Sequence, residues 1–202
     1  VGRGEPGHRA SGCAERIAAV ATEAVPVGDG VAQPGFEGAT GDDAVGVAVA
    51  EGERIGAGDA FKGDAPLLMC GSTWPADEEL LTAALASMGS DAPKCLVVPH
   101  ELHESQLAEI ERRFPKPLAR WSELERSDPM NVAGTLGVER HGTLVVDRMG
   151  LLARLYRYGD VAYIGGGFTD GIHSLLEAAA WGVPVIFGPK HQKFPEAQGL
   201  ID

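Results

Sequence analysis

The residues best suited to chemistry in this chain sit in one glycine-rich stretch, Ile164-Gly165-Gly166-Gly167-Phe168-Thr169-Asp170-Gly171-Ile172-His173-Ser174-Leu175-Leu176-Glu177. Glycines just after an apolar run let the backbone come close to a ligand. A helix starting near Ser174 would turn free amides and a positive end toward a phosphate. Glu177, one turn inside, could accept hydrogen bonds from a ribose diol. The same residues also describe a plain glycine-rich connection, with His173 or Ser174 capping the helix and Glu177 solvated.

Four other loops carry candidates. In Gly71-Ser72-Thr73, the hydroxyls of Ser72 and Thr73 either meet a phosphate or carboxylate or cap the helix that Pro75 opens. In Pro99-His100-Glu101, His100 is a donor to an anion or a structural strand-end histidine. Asp147-Arg148-Met149-Gly150-Leu151 offers a glycine for backbone approach, with Arg148 a candidate cation or an ordinary surface arginine. Phe187-Gly188-Pro189-Lys190-His191-Gln192-Lys193-Phe194 is locally basic in an acidic chain and is either an anion contact or a solvated loop. No catalytic dyad, metal cluster or Walker-type loop is recognisable.

These loops need a frame. Leu67-Leu68-Met69-Cys70, Cys95-Leu96-Val97-Val98, Thr143-Leu144-Val145-Val146, Val161-Ala162-Tyr163-Ile164 and Val183 to Phe187 read as strands. Between them lie helical patterns from Pro75 to Gly89, with Asp77, Glu78 and Glu79 complementing the positive end, and from Glu104 to Arg113, Met149 to Tyr156 and Ser174 to Trp181. Apolar strands alternating with amphipathic helices predict an α/β fold, a doubly wound, Rossmann-like parallel sheet. Ligands bind such sheets at the carboxyl ends of the strands, where all five loops lie. The stretch from Ser122 to Gly142 is long and polar, a functional loop or a weakly ordered one.

Composition bounds the partners. The net charge of −12 opposes binding to a phosphate backbone, so no nucleic-acid partner is expected. Cys13, Cys70 and Cys95 form no metal-ligand spacing, and Cys70 and Cys95 in apolar runs read as buried free thiols. Residues 1–59 contain no leucine, tryptophan or tyrosine; Glu15 to Ala24 could form a short helix, and Val25 to Gly58 shows no sustained period. They are expected to be disordered or translated in the wrong frame, with the folded domain running over 60–202. The chain opens on Val1, which reads as a fragment or an alternative start codon.

Several blocks, in order, resemble the 3-deoxy-D-manno-octulosonic acid (Kdo) transferases. They are Gly71-Ser72-Thr73-Trp74 with Asp77-Glu78, Val98-Pro99-His100 and Asp147-Arg148-Met149-Gly150-Leu151-Leu152. The later blocks are Tyr163 to Gly167, Gly171-Ile172-His173 with Leu176-Glu177-Ala178-Ala179, and Gly182 to Pro189. The resemblance implies one half of a two-domain GT-B glycosyltransferase that moves Kdo from CMP-Kdo to a lipid A precursor, with inversion and without a metal or cofactor. It implies donor binding by Ser72, Pro99, His100, Gly150, Leu151, Leu152, Gly165, Gly166, Ser174, Leu175, Leu176 and Glu177. His100 stands where many members have arginine, and Ser174 where asparagine is usual. The family's general base, acceptor site and membrane anchor belong to an N-terminal domain not recognisable in residues 1–59, and its terminal helices are not seen after Asp202. The parent enzyme is thus expected at the cytoplasmic face of the bacterial inner membrane, and this chain to be soluble, to bind CMP-type ligands weakly and not to transfer sugar. Another GT-B transferase, a sugar-nucleotide epimerase, or a non-catalytic nucleotide-binding fragment are the alternatives.

Overall fold

The computed structural model describes residues 56–126, 142–169, 171–173 and 175–201. The segment up to residue 55, with Cys13 and the expectation of disorder or a frame error, lies outside the described residues. So do Ser174 and most of the polar stretch before Gly142.

The strands carry the frame. β1 (Leu67–Thr73) and β2 (Lys94–Pro99) pair in parallel. β3 (Leu118–Arg120), β4 (Thr143–Val145), β5 (Val161–Ile164) and β6 (Val185–Phe187) complete a parallel sheet in the order β3-β4-β2-β1-β5-β6. Leu67 to Cys70 are each at most 1% exposed, so the continuous apolar run is that of a strand covered on both faces.

Alternation divides those side chains between two cores. Leu67 and Met69 join Leu96, Leu144, Ala162 and Phe187 on one face. Leu68 and Cys70 join Val97, Val145, Tyr163 and Ile186 on the other. The second face is covered by α2 (Pro75–Met88), through Leu81, Leu85 and Met88, and by α3 (Glu104–Arg113), through Leu107 and Ile110. The first face is covered by α1 (Gly56–Lys62), α4 (Trp121–Arg126), α5 (Leu152–Leu155), α6 (Leu176–Ala179) and α7 (Pro195–Ile201), which bring in Phe61, Trp121, Leu155, Ala178 and Ala197. Helices on both faces of a parallel sheet make the fold doubly wound and Rossmann-like, as the sequence predicts.

Several boundaries differ from expectation. α1 crosses residue 60: Phe61 is wholly buried, the Nζ of Lys94 donates to its carbonyl at 2.7 Å, and the Nζ of Lys62 donates to the carbonyl of Tyr158 at 2.7 Å. Ser122 to Arg126, the start of the expected polar connection, is helical. The helix expected over Met149 to Tyr156 is a single turn from Leu152 followed by a 3-10 turn, Tyr156–Tyr158. The helix expected from Ser174 is also shorter, one turn beginning at Leu176. Four residues align too few peptide dipoles to act as a strong anion pole, so in this loop the backbone and side chains must do that work.

The strand order fixes where a ligand can enter. From β1 the chain moves to β2 on one side, while β5 pairs with β1 on the other. The tips of β1 and β5 therefore diverge into loops on opposite sides, which is the topological switch point of an open α/β sheet.

Candidate functional site

At the switch point the β1 tip and the glycine turn after β5 touch through backbone. The Gly165 N–H donates to the Gly71 carbonyl at 2.8 Å, and a Cβ on Gly165 would stand 2.2 Å from the carbonyl oxygen of Ser72. Ser72 is held at φ 53°, a left-handed conformation that costs a non-glycine residue about 1–2 kcal/mol. That strain sits where β1 breaks register between Gly71 and Thr73.

One carboxylate secures this junction. Asp77, fully buried in the first turn of α2, accepts hydrogen bonds from the Trp74 N–H at 2.9 Å, the Gly166 N–H at 2.9 Å and the Tyr163 hydroxyl at 2.7 Å. The Gly166 turn, at φ 93°, is thus tied to the head of α2 and to the middle of the sheet. Asp77 does more than complement a helix pole. Nor do Ser72 and Thr73 cap α2: Trp74 occupies the N-cap, and the Thr73 hydroxyl donates to Oε1 of Glu78 at 3.1 Å. Gln106 donates to the same oxygen at 3.0 Å, while Oε2 of Glu78 is buried without a partner among the described residues, and burial pushes this carboxyl up.

Beside the turn, three rings share the strand tips. His100, exposed after β2, stacks on Trp74 and on His173 with centroids 4.4 Å apart in each case. The indole N–H of Trp74 donates to Nε2 of His173 at 3.2 Å, and the His173 backbone N–H reaches the Gly165 carbonyl at 3.2 Å. Burial, and next the neighbouring His100, push His173 down; Asp77 pulls the other way.

On the other flank Tyr156 is buried with its hydroxyl over Gly71, where a Cβ would lie 2.0 Å from the oxygen; Leu152 reaches the same point at 3.1 Å. Tyr156 is pushed up by burial and then by the charge of Glu177. Glu177 is half-buried, is itself pushed up by burial, and among the described residues makes no hydrogen bond or ion pair.

No protein-family model matches the chain. The 3-deoxy-D-manno-octulosonic acid transferase of Aquifex aeolicus (strain VF5) is 42% identical over 60 residues, 29% of this chain and 17% of that protein. The enzyme of the same name from Chlamydophila psittaci (strain ATCC VR-125 / 6BC) is 32% identical over 131 residues, 64% of this chain and 28% of the relative. That of Rickettsia bellii (strain RML369-C) is 25% identical over 136 residues, 67% of this chain and 31% of the relative. Among solved structures, the C-terminal CMP-Kdo binding domain of WaaA from Acinetobacter baumannii aligns with a TM-score of 0.53 at 23% identity, over 70% of each chain.

This chain is similar to the Kdo transferases. It spans 17% and 28% of the lengths of the first two relatives, and it shares the fold of the Acinetobacter baumannii C-terminal domain.

Of the donor-binding residues the Kdo transferase resemblance implies, the structure brings Ser72, Gly165 and Gly166 together at the switch point. His100 adjoins them through His173, and Leu152 through Gly71. Pro99 ends β2 and is buried. Gly150, at φ 80° with open space where a Cβ would stand, and Leu151, at the N-cap of α5, border the β4 loop. Leu175 is wholly buried, while Leu176 is 47% exposed. Ser174 lies outside the described residues.

Two sequence candidates are otherwise engaged. Arg148 pairs with Glu125 at 3.2 Å, and Lys190 donates to the Thr169 carbonyl at 2.6 Å, bracing one loop against another. Asp77 and Tyr156 were not legible as site residues. The available signal for Asp77 was Tyr163: a tyrosine inside a buried strand needs an acceptor for its hydroxyl.

Among the described residues no cluster of three or more His, Cys, Asp or Glu could hold a metal ion, and no helix is long and apolar enough to cross a membrane. Cys70 and Cys95 are buried thiols, and burial pushes the Cys70 thiol up.

Proposed function

We propose that this domain binds the CMP moiety of CMP-Kdo and serves as the donor half of a glycosyltransferase that passes Kdo to a lipid A precursor. The observation that carries the reading is the junction of Ser72, Gly165 and Gly166 at the switch point, with Glu177 making no hydrogen bond or ion pair among the described residues on one flank and a histidine pair on the other. The Gly165 and Gly166 amides are bonded to Gly71 and Asp77 and set the shape of the turn, so the phosphate meets the turn through the amides that follow them, from Gly167 on; His100 lies beside it where a cation commonly stands in relatives. Glu177 accepts from the ribose hydroxyls, and the open space at Gly150 receives the base or sugar edge. On this reading the transfer inverts the anomeric carbon and needs no metal at the donor phosphate, and the leaving phosphate is met by amides and imidazoles. The acceptor site, the general base and attachment to the inner membrane belong to another domain of the parent enzyme, so the described domain binds donor without turning it over.

Isothermal titration with CMP, UDP and NAD tests this. CMP is expected to bind best, and Glu177→Ala to weaken it about tenfold or more, the worth of a hydrogen bond to a charged group. A preference for UDP would instead favour another nucleotide-sugar transferase or an epimerase. Absence of binding to all three would leave a non-catalytic module.

A further inference from the structure

The stacked rings at the strand tips carry chemistry of their own. Indole N–H is a donor only, so the bond from Trp74 requires Nε2 of His173 to be an unprotonated acceptor. A neutral imidazole with Nε2 bare carries its proton on Nδ1. Two further features favour the neutral ring: His173 is partly buried, and His100 stacks on its face at 4.4 Å, where two imidazolium charges would repel. The charged and titratable groups bearing on it are His100, from the tip of β2, and Asp77, from the head of α2.

Among the described residues Nδ1 has no hydrogen-bond partner, and it is not one of the buried unpartnered atoms. Its ring sits against the glycine turn, Cδ2 being 3.3 Å from where a Cβ on Gly166 would stand. We propose that His173 is a neutral donor, through Nδ1–H, to an anionic oxygen of the sugar nucleotide, and that Trp74 is the positioning residue that fixes its tautomer. The proposal rests on the CMP-sugar reading and names one contact within it. The oxyanion belongs either to the phosphate or to the carboxylate of the Kdo sugar. A neutral donor has a consequence: its contact persists at pH values where a histidine cation would be lost.

The test pairs a spectroscopic readout with binding, on the full chain. Long-range nitrogen–proton NMR of the free protein is expected to show the His173 proton on Nδ1, and Trp74→Phe to leave a tautomer mixture. Calorimetry with CMP, CMP-Kdo and cytidine is expected to show His173→Phe weakening by about tenfold, the loss of one hydrogen bond to a charged group. A loss with both CMP and CMP-Kdo assigns the phosphate; a loss with CMP-Kdo alone assigns the carboxylate; cytidine is unaffected in either case. His173→Asn, whose amide places an N–H near the position of Nδ1, is expected to retain most of the affinity and so separates the contact from misfolding. A proton found on Nε2, or native affinity in His173→Phe while the wild type binds CMP, would overturn the proposal and leave the CMP-sugar reading standing. Failure of the wild type to bind CMP and CMP-Kdo would remove that reading and the proposal with it, whatever the tautomer.

Discussion

Glu78 shows what one buried carboxyl does to this fold. It is wholly buried, with Oε1 accepting from Thr73 and Gln106 and Oε2 accepting from nothing among the described residues. Burial is the largest influence and raises the pKa; the bonds from Gln106 and Thr73 lower it. A folded pKa above the unfolded value of about 4.3 means that the folded state keeps the proton longer. The contribution of this group to stability is then fully present below about pH 4.3 and is lost as pH rises through the folded value. Glu78→Gln removes that titration. In urea denaturation between about pH 4 and pH 8, the variant should gain on the wild type as pH rises. A difference that stays constant with pH would contradict a buried titrating carboxyl. His173 acts in the opposite sense: with its pKa depressed, its contribution is present above about pH 6.5 and is lost as pH falls through the folded value.

At the scale of elements, the junction between α2 and the glycine turn depends on Asp77. Asp77→Ala would leave the Tyr163 hydroxyl and the Gly166 N–H buried and unpaired, at about 1–3 kcal/mol for each group. Asp77→Asn should cost less, because an amide oxygen can still accept from the two backbone N–H groups. Equilibrium unfolding checks the order, and equal losses in the two variants would show that the hydrogen bonds are not what matters. Gly71→Ala tests the other flank, since its methyl would collide with the Tyr156 hydroxyl in a packed core. Overpacking of this kind costs about 1–3 kcal/mol.

The strands β1, β2 and β5 and the helix α3 were legible because apolar runs and a 3.6-residue period mark buried elements whatever their partners. β3 was not, because Leu118-Ala119-Arg120 is too short to show a pattern. It is held by its ladder to β4 and by Arg120, which pairs with Glu104 at 2.6 Å and with Glu111. The one-turn helices α5 and α6 were overextended for a related reason: periodicity continues through residues that tertiary packing turns into 3-10 or irregular backbone. In the site, the glycine turn was legible from composition. The Asp77 tie was not, since an aspartate after a helix-opening proline reads equally well as a dipole partner. The Trp74–His100–His173 stack joins residues up to 99 positions apart, which no local pattern reveals.

For the molecule as a whole, the two cores explain why α1 belongs to the domain although its sequence is glycine- and alanine-rich. A seven-residue helix has little stability of its own, and here Phe61 anchors it among Leu67, Met69 and Tyr158 on one face of the sheet. Phe61→Ala should destabilise the domain by about 3–5 kcal/mol, measured by urea denaturation. A loss under about 1 kcal/mol would mean that the helix is dispensable to the fold.

The central claim is that CMP sits at the carboxyl ends of β1, β4 and β5. Nitrogen–proton NMR of the labelled chain, titrated with CMP, tests it most directly. The expected result is that shifts concentrate at Ser72, His100, Gly150, Gly165, Gly166, His173 and Glu177, with little change at Lys94 and Lys62 on the opposite edge of the sheet. Shifts confined to that opposite edge, or none at saturating CMP, would contradict it.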